Sequence, residues 1–143
     1  TKQSDRDKIA KMKLIPVHDL IKDKSLLLID DSIVRGTTSR HIVNLLREAG
    51  AKEIHMRVSA PPFVAPCYYG TDVDSSKGLI ANEHSVDEIA KLIGADSLGY
   101  LSRENTKLLT GKDSGFCDAC FGGNYPTHIS ENHGKNRFEE KLK

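Results

Sequence analysis

Two adjacent carboxylates, Asp30 and Asp31, are followed by the seven residues Ser32–Thr38, which carry hydroxyls and a glycine but no acid. Set between an apolar stretch and the start of a helix, such a run suits an anionic phosphate. A helix beginning near Thr38 or Ser39 leaves unpaired N–H groups and a partial positive charge at its first turn. Gly36 lets the backbone turn tightly and approach a ligand closely, and Thr37, Thr38 and Ser39 add hydroxyl donors. Two carboxylates beside a phosphate would repel it, so a magnesium ion or a sugar diol is the natural mediator. The competing reading makes Asp30 and Asp31 turn and capping residues with solvated carboxylates. The apolar strand before them and the Gly-Thr-Thr turn after them favour the phosphate. Neither the Gly-Lys-Ser/Thr of a Walker loop nor a G-x-G-x-x-G fingerprint occurs.

The three cysteines form the other chemical group: Cys67, Cys117 and Cys120. Cys117-Asp118-Ala119-Cys120 has the two-residue gap that lets both thiolates face one metal. By itself it fits half a zinc site, a redox pair or half an iron–sulfur site. Cys67 lies far upstream, where a buried small apolar role is the ordinary alternative. The odd count argues against a disulfide framework and for reduced thiols in the cytoplasm. The six histidines, His18, His41, His55, His84, His128 and His133, share no ligand spacing. His128 and His133 stand near enough in sequence to the cysteine pair to make a zinc site conceivable.

The elements that must position these residues alternate between strand and helix. A short polar helix is expected over Ser4–Met12, ended by Pro16, and then a turn or single helical turn over Val17–Lys24. Leu26–Ile29 is continuously apolar, as for a strand covered on both faces in a parallel sheet. The following helix carries Ile42, Leu45, Leu46 and Ala49 as one apolar stripe and stops at Gly50. Glu53–Ala60 reads as a second strand. Ser85 and Glu88 form a capping box for a second helix with the stripe Val86, Ile89, Ala90 and Ile93, stopped by Gly94. Leu98–Leu101 is a third strand and Arg103–Leu109 a weak helix. The strand–helix–strand order predicts an α/β fold with parallel strands. The chain divides into a core, residues 1–109, and a Cys-containing segment with a charged tail, residues 110–143.

Composition narrows the class further. The net charge of +1 lacks the basic excess of a nucleic-acid-binding surface. No apolar run approaches the ~20 residues of a membrane span, and no secretion signal opens the chain.

The order of apolar strand, acidic pair, short turn and closing Arg35-Gly36-Thr37-Thr38 resembles the phosphoribosylpyrophosphate (PRPP) motif of type I phosphoribosyltransferases. The full turn Ser32-Ile33-Val34-Arg35-Gly36-Thr37-Thr38 is similar to that of one family among them, the glutamine PRPP amidotransferases. Leu46–Glu53, Pro61-Pro62, Tyr69-Gly70-Thr71-Asp72 and Ile93–Leu101 look like the carboxyl-terminal half of that family, so the resemblance covers most of residues 12–126.

The resemblance implies a partial type I phosphoribosyltransferase fold, mainly a parallel sheet with flanking helices, followed by the Cys-containing segment. It implies that Asp30 and Asp31 hold the ribose hydroxyls and the Mg²⁺ on PRPP, and that Ser32, Ile33, Val34, Arg35, Gly36, Thr37 and Thr38 hold the 5′-phosphate. The family's reaction places glutamine-derived ammonia on C1 of the ribose with loss of pyrophosphate, the first step of purine synthesis, with no nucleophilic side chain in this set. One branch of the family carries a [4Fe–4S] cluster on four cysteines. Cys67, Cys117 and Cys120 look like three of them, the fourth lying outside this chain. The resemblance also implies a homo-oligomeric parent enzyme, with no nucleic-acid or membrane partner. Its glutaminase domain, the earlier strands of the transferase core, the pyrophosphate-binding loop and the flexible loop over PRPP have no counterpart in this chain. The chain alone is therefore expected to make little or no product. Two other classes remain: a non-catalytic PRPP-binding regulatory module, and a metal-binding module built on the cysteines alone.

Overall fold

The computed structural model describes residues 14–111 and 115–129, so the helix expected over Ser4–Met12, the tail expected over Glu131–Lys143, and His133 lie outside the described residues. The elements run α1 (His18–Ile21), β1 (Ser25–Asp30), α2 (Thr37–Glu48), β2 (Glu53–Val58), α3 (Ile80–Glu83), α4 (Val86–Ile93), β3 (Ser97–Tyr100), α5 (Arg103–Thr110) and α6 (Ala119–Gly122). The strands form one parallel sheet in the order β1-β2-β3. In register, Ser25 faces Glu53 and Asp30 faces Val58, while His55 faces Ser97 and Val58 faces Tyr100. The expected α/β architecture with flanking helices is therefore present. The short helices α3 and α6 were not legible, because a single turn is too brief to show periodicity.

Local signals set the helix ends as expected. Ser85 and Glu88 make the capping box that opens α4, and Gly94 closes it in the left-handed conformation at φ 83°. Gly50 follows α2 at φ 90°. The helices α2 and α4 cover one face of the sheet. There Ile54, Met56 and Val58 of β2 are buried against Val43 of α2 and Ile89 and Ile93 of α4, with Ile33 joining from the turn after β1.

Two expectations about burial are corrected. First, among the described residues β1 is covered on one face, not both. Leu26 and Leu28 are half-buried, whereas Leu27 and Ile29 are 64% and 70% exposed. The other face of the sheet also carries Glu53, His55 and Arg57, the register partners of Ser25, Leu27 and Ile29, and Leu109 of α5 lines a pocket there with Leu27, Ile29 and Arg57. Second, the buried line of α2 runs through Ser39 and Val43, spaced i, i+4. Of the expected stripe, Ala49 at the end of the helix is buried at 3%, while Ile42, Leu45 and Leu46 are half-buried. Hydropathy alone passed over Ser39, whose small hydroxyl fits where the helix meets its neighbours. On α4, Ile89, Ala90 and Ile93 are buried as expected, but Val86, the first helical residue, is 39% exposed.

Candidate phosphate-binding site

The carboxyl end of β1 opens into a cleft of about 470 Å³ lined by the continuous run from Asp30 to Ser39 and by Asp72, Val73 and Asp74. All nine residues that the sequence assigned to PRPP, Asp30 through Thr38, thus line one concavity. It lies beyond the strand end, where open parallel sheets bind their ligands.

The turn is fixed from several sides. Ile33 is buried in the main core at 2% exposure, so this residue lends the cleft its backbone, not its side chain. Val34 packs toward Phe63, Val73 and Leu79, and its carbonyl accepts the Ile80 N–H at 3.0 Å. Gly36 precedes α2 at φ 75°, a conformation that favours glycine, and no side chain caps the helix. The first-turn N–H groups of this 12-residue helix therefore face the turn without a competing side-chain acceptor. Such a frame holds donors in place before a ligand arrives.

The acidic pair is braced in the same manner. The Asp31 N–H donates to Asp30 Oδ1 at 3.0 Å and Ser32 Oγ donates to Asp31 Oδ1 at 3.1 Å. Ser59, just past β2, donates its N–H to the Asp30 carbonyl at 3.0 Å and its hydroxyl to the same carbonyl at 3.3 Å. Backbone and side-chain bonds thus hold both carboxylates at the mouth of the cleft, where a hard cation or a diol would meet them.

Sequence reasoning missed Asp72, Val73 and Asp74 as part of the cleft. The Asp-Val-Asp alternation in a loop rich in Gly and Ser was a possible signal, but nothing local ties it to a turn some 40 residues upstream. Arg35 Nη2 donates to Asp74 Oδ1 at 3.3 Å, and this pair closes the distance. Ser39 also lines the cleft.

The cysteines lie elsewhere. Cys67 and Cys120 pack against the apolar cluster of Phe63, Val73 and Leu79, while Cys117 is exposed. The Cys67 sulfur accepts the Gly70 and Thr71 N–H groups at 3.5 and 3.3 Å. Burial pushes the Cys67 thiol up, but the N–H groups of Gly70, Tyr69 and Thr71 together outweigh it and bring the pKa down to about 7. Cys120 is raised, first by burial and then by the neighbouring Cys67. Among the described residues no group of three His, Cys, Asp or Glu side chains surrounds one metal position.

Protein contacts join the Cys-containing segment to the body. Arg103 meets Asp118 through two hydrogen bonds, at 2.5 and 3.0 Å, and the Cys120 carbonyl accepts the Val64 and Ala65 N–H groups at 2.9 and 3.1 Å. Tyr125 donates to the Pro66 carbonyl at 2.7 Å, and Phe63 meets Phe121 edge to face. Of the aromatic residues flanking the cysteines, Phe121 packs in their cluster, while Tyr69 is 48% exposed.

No family model matches the chain. Individual proteins do. The chloroplastic amidophosphoribosyltransferase of Glycine max is 54% identical over 130 residues, which is 90% of this chain and 23% of that protein. The amidophosphoribosyltransferase of Methanocaldococcus jannaschii is 48% identical over 128 residues, covering 90% of this chain and 27% of the relative. Among solved structures, the Bacillus subtilis glutamine PRPP amidotransferase complexed with ADP and GMP superimposes with a TM-score of 0.78 at 45% identity, over 92% of this chain and 30% of that one. No described helix is long and apolar enough to cross a membrane. Over about nine tenths of its length this chain is a homologue of the amidophosphoribosyltransferases, and it spans about a quarter of theirs.

Proposed function

We propose that this chain is the PRPP-binding part of an amidophosphoribosyltransferase, the enzyme that transfers glutamine-derived ammonia to C1 of PRPP, releasing pyrophosphate and giving 5-phosphoribosylamine at the start of purine synthesis. The observation that carries the proposal is the single cleft that joins the uncapped start of α2, the Ser32–Thr38 turn and the paired carboxylates. The turn is suited to the 5′-phosphate, through backbone N–H groups and the Thr37 and Thr38 hydroxyls. Asp30 and Asp31 are suited to the ribose hydroxyls and to Mg²⁺, which when bound offsets the charge of the pyrophosphate. Bond breaking at C1 builds positive charge on the sugar, which carboxylates held near it stabilise without a nucleophilic side chain. The Bacillus subtilis relative was solved with ADP and GMP, ligands that carry the same ribose bearing a 5′-phosphoryl group.

The same proposal extends to the thiols. By the family resemblance, Cys67, Cys117 and Cys120 would be three of the four ligands of a [4Fe–4S] cluster, with the fourth cysteine outside this chain. Each thiolate would bind its own iron, so that no shared single-ion position among the described residues is required. The N–H groups aimed at the Cys67 sulfur and its lowered pKa fit a ligating thiolate. The cluster when bound supplies a cross-link between residues 66–70 and the segment around Cys120. The parent enzyme is a homo-oligomer, and its setting is a reducing one, the cytoplasm in the simplest case; the Glycine max relative is a chloroplastic protein.

Titration with PRPP tests the main proposal. The chain should bind PRPP in the presence of Mg²⁺, lose at least about tenfold in affinity without it, and lose a similar amount on Asp30→Asn or Asp31→Asn. Indifference to Mg²⁺ and to both substitutions would rule it out. The chain should form no phosphoribosylamine by itself, since it holds only part of the relatives' length. Measurable product would contradict that statement. A brown, iron-containing protein after anaerobic purification supports the cluster, and zinc or no metal opposes it. The alternative is a non-catalytic PRPP-binding regulatory module, which the same binding groups of the cleft would serve. Co-purification with a separate glutaminase subunit separates the two.

A further inference from the structure

The cleft is crossed by an ion pair that the phosphate reading does not use. Arg35 stands within the turn, and its Nη2 reaches Asp74 Oδ1 at 3.3 Å, with the two side chains 57% and 45% exposed. Asp74 sits on a firm base. Its neighbour Val73 is buried at 3% beside Phe63 and Leu79, and the Val73 carbonyl accepts the Cys67 N–H at 2.8 Å. Ser75 Oγ also donates to Asp74 Oδ1, at 3.5 Å. Among the described residues lining the cleft, Arg35 is the one cationic side chain, against the carboxylates of Asp30, Asp31, Asp72 and Asp74. An incoming phosphate must therefore share Arg35 with a carboxylate already in place.

We infer that Asp74 is a built-in counter-anion for Arg35: it holds the guanidinium at the rim of the cleft while the cleft is empty, and the phosphate of the ligand displaces it. The inference rests on the phosphate reading of the cleft and adds to it a positioning residue that sets how strong an anion must be to enter. A phosphate dianion can take two N–H groups of the guanidinium and carries a greater charge than the Asp74 carboxylate, which meets it through one oxygen, so it wins the exchange. A monoanion such as chloride or acetate brings no more charge than the Asp74 carboxylate, which is already tethered beside Arg35, and does not displace it. Because the pair is exposed, the competition is mild and sensitive to salt.

The test uses the whole 143-residue chain, with ribose 5-phosphate as the probe, at low ionic strength. Calorimetric titration of the wild type, Asp74→Asn, Arg35→Gln and the double variant forms a cycle. Asp74→Asn should tighten binding about three- to fivefold. The gain should vanish in the Arg35→Gln background, shrink at high salt, and be reversed by Asp74→Glu. The Arg35 Nε–H resonance should shift on Asp74→Asn without ligand, a change that a merely structural Asp74 would not single out. Unchanged or weaker binding by Asp74→Asn overturns the inference, as does an equal gain with and without Arg35, which would reflect net charge alone. Absence of binding by every form overturns both the inference and the phosphate reading. If ribose 5-phosphate binds and the cycle behaves as stated, but PRPP with Mg²⁺ is not preferred, the PRPP reading alone fails.

Discussion

At the scale of single residues, the side chains that matter are held by more partners than their sequence neighbours supply. Asp96, just before β3, illustrates this outside the cleft. Its Oδ2 accepts the Ile54 N–H at 2.6 Å and Arg47 Nη2 at 2.5 Å, while the same guanidinium donates to the Lys52 carbonyl at 2.8 Å. The Ile54 N–H, and after it Arg47, hold the Asp96 carboxyl below its ordinary value. A carboxylate whose pKa is lowered on folding stabilises the fold fully above its unfolded-state pKa, near 3.9, and loses that contribution as pH falls through the lower, folded value. Asp96→Asn should therefore lower Tm at pH 7 by about 2–4 °C, a modest effect because both partners are about one-third exposed and screened. The gap to the wild type should begin to narrow below about pH 4 and close only once the pH falls below the lowered, folded-state value. A gap that does not narrow at all as the pH is lowered would show that shape, not charge, accounts for it. None of these contacts was legible from the sequence, where Arg47 and Asp96 stand 49 residues apart.

At the scale of elements, the phosphate turn is a joint between β1 and α2 whose geometry depends on one backbone conformation. Gly36 has φ 75°, and a Cβ built there would lie 2.8 Å from Ile80 Cδ1. That methyl is the far end of a flexible side chain and can move, so the backbone conformation is the larger obstacle to a side chain. Gly36→Ala should cost about 1–2 kcal/mol in urea unfolding and weaken ribose 5-phosphate binding by about tenfold or more, because the α2 N–H groups turn away from the ligand. Equal stability and affinity would show that the turn tolerates a conventional φ. This glycine was readable in advance, since a tight turn before a helix leaves few alternatives. The same holds for the Ser85–Glu88 box and for Gly94. The orientation of α2 was not readable in full, because its buried line passes through Ser39 as well as Val43.

At the scale of the whole molecule, the parallel sheet is two-layered: helices on one side, and on the other a face where Leu27 and Ile29 stand open. Exposed apolar side chains in neighbouring positions of one strand face make a patch of the kind that binds hydrophobic dyes or other surfaces. Leu27→Thr combined with Ile29→Thr should reduce 8-anilinonaphthalene-1-sulfonate fluorescence by about half and change unfolding free energy by less than about 1 kcal/mol, since little apolar burial is lost. A large loss of stability instead would mean that this face is covered in solution. The sequence by itself determined the alternation of strands and helices, their caps, and the run from Asp30 to Thr38, because each depends on neighbours within a turn or two of chain. Tertiary structure alone decided three matters. It brought Asp74 across 39 residues to Arg35, it set Cys67 against the segment of Cys120, and it left one face of β1 bare. Hydropathy records which residues gain from burial, and local spacing records which can share a ligand; neither records which distant segment arrives to meet them.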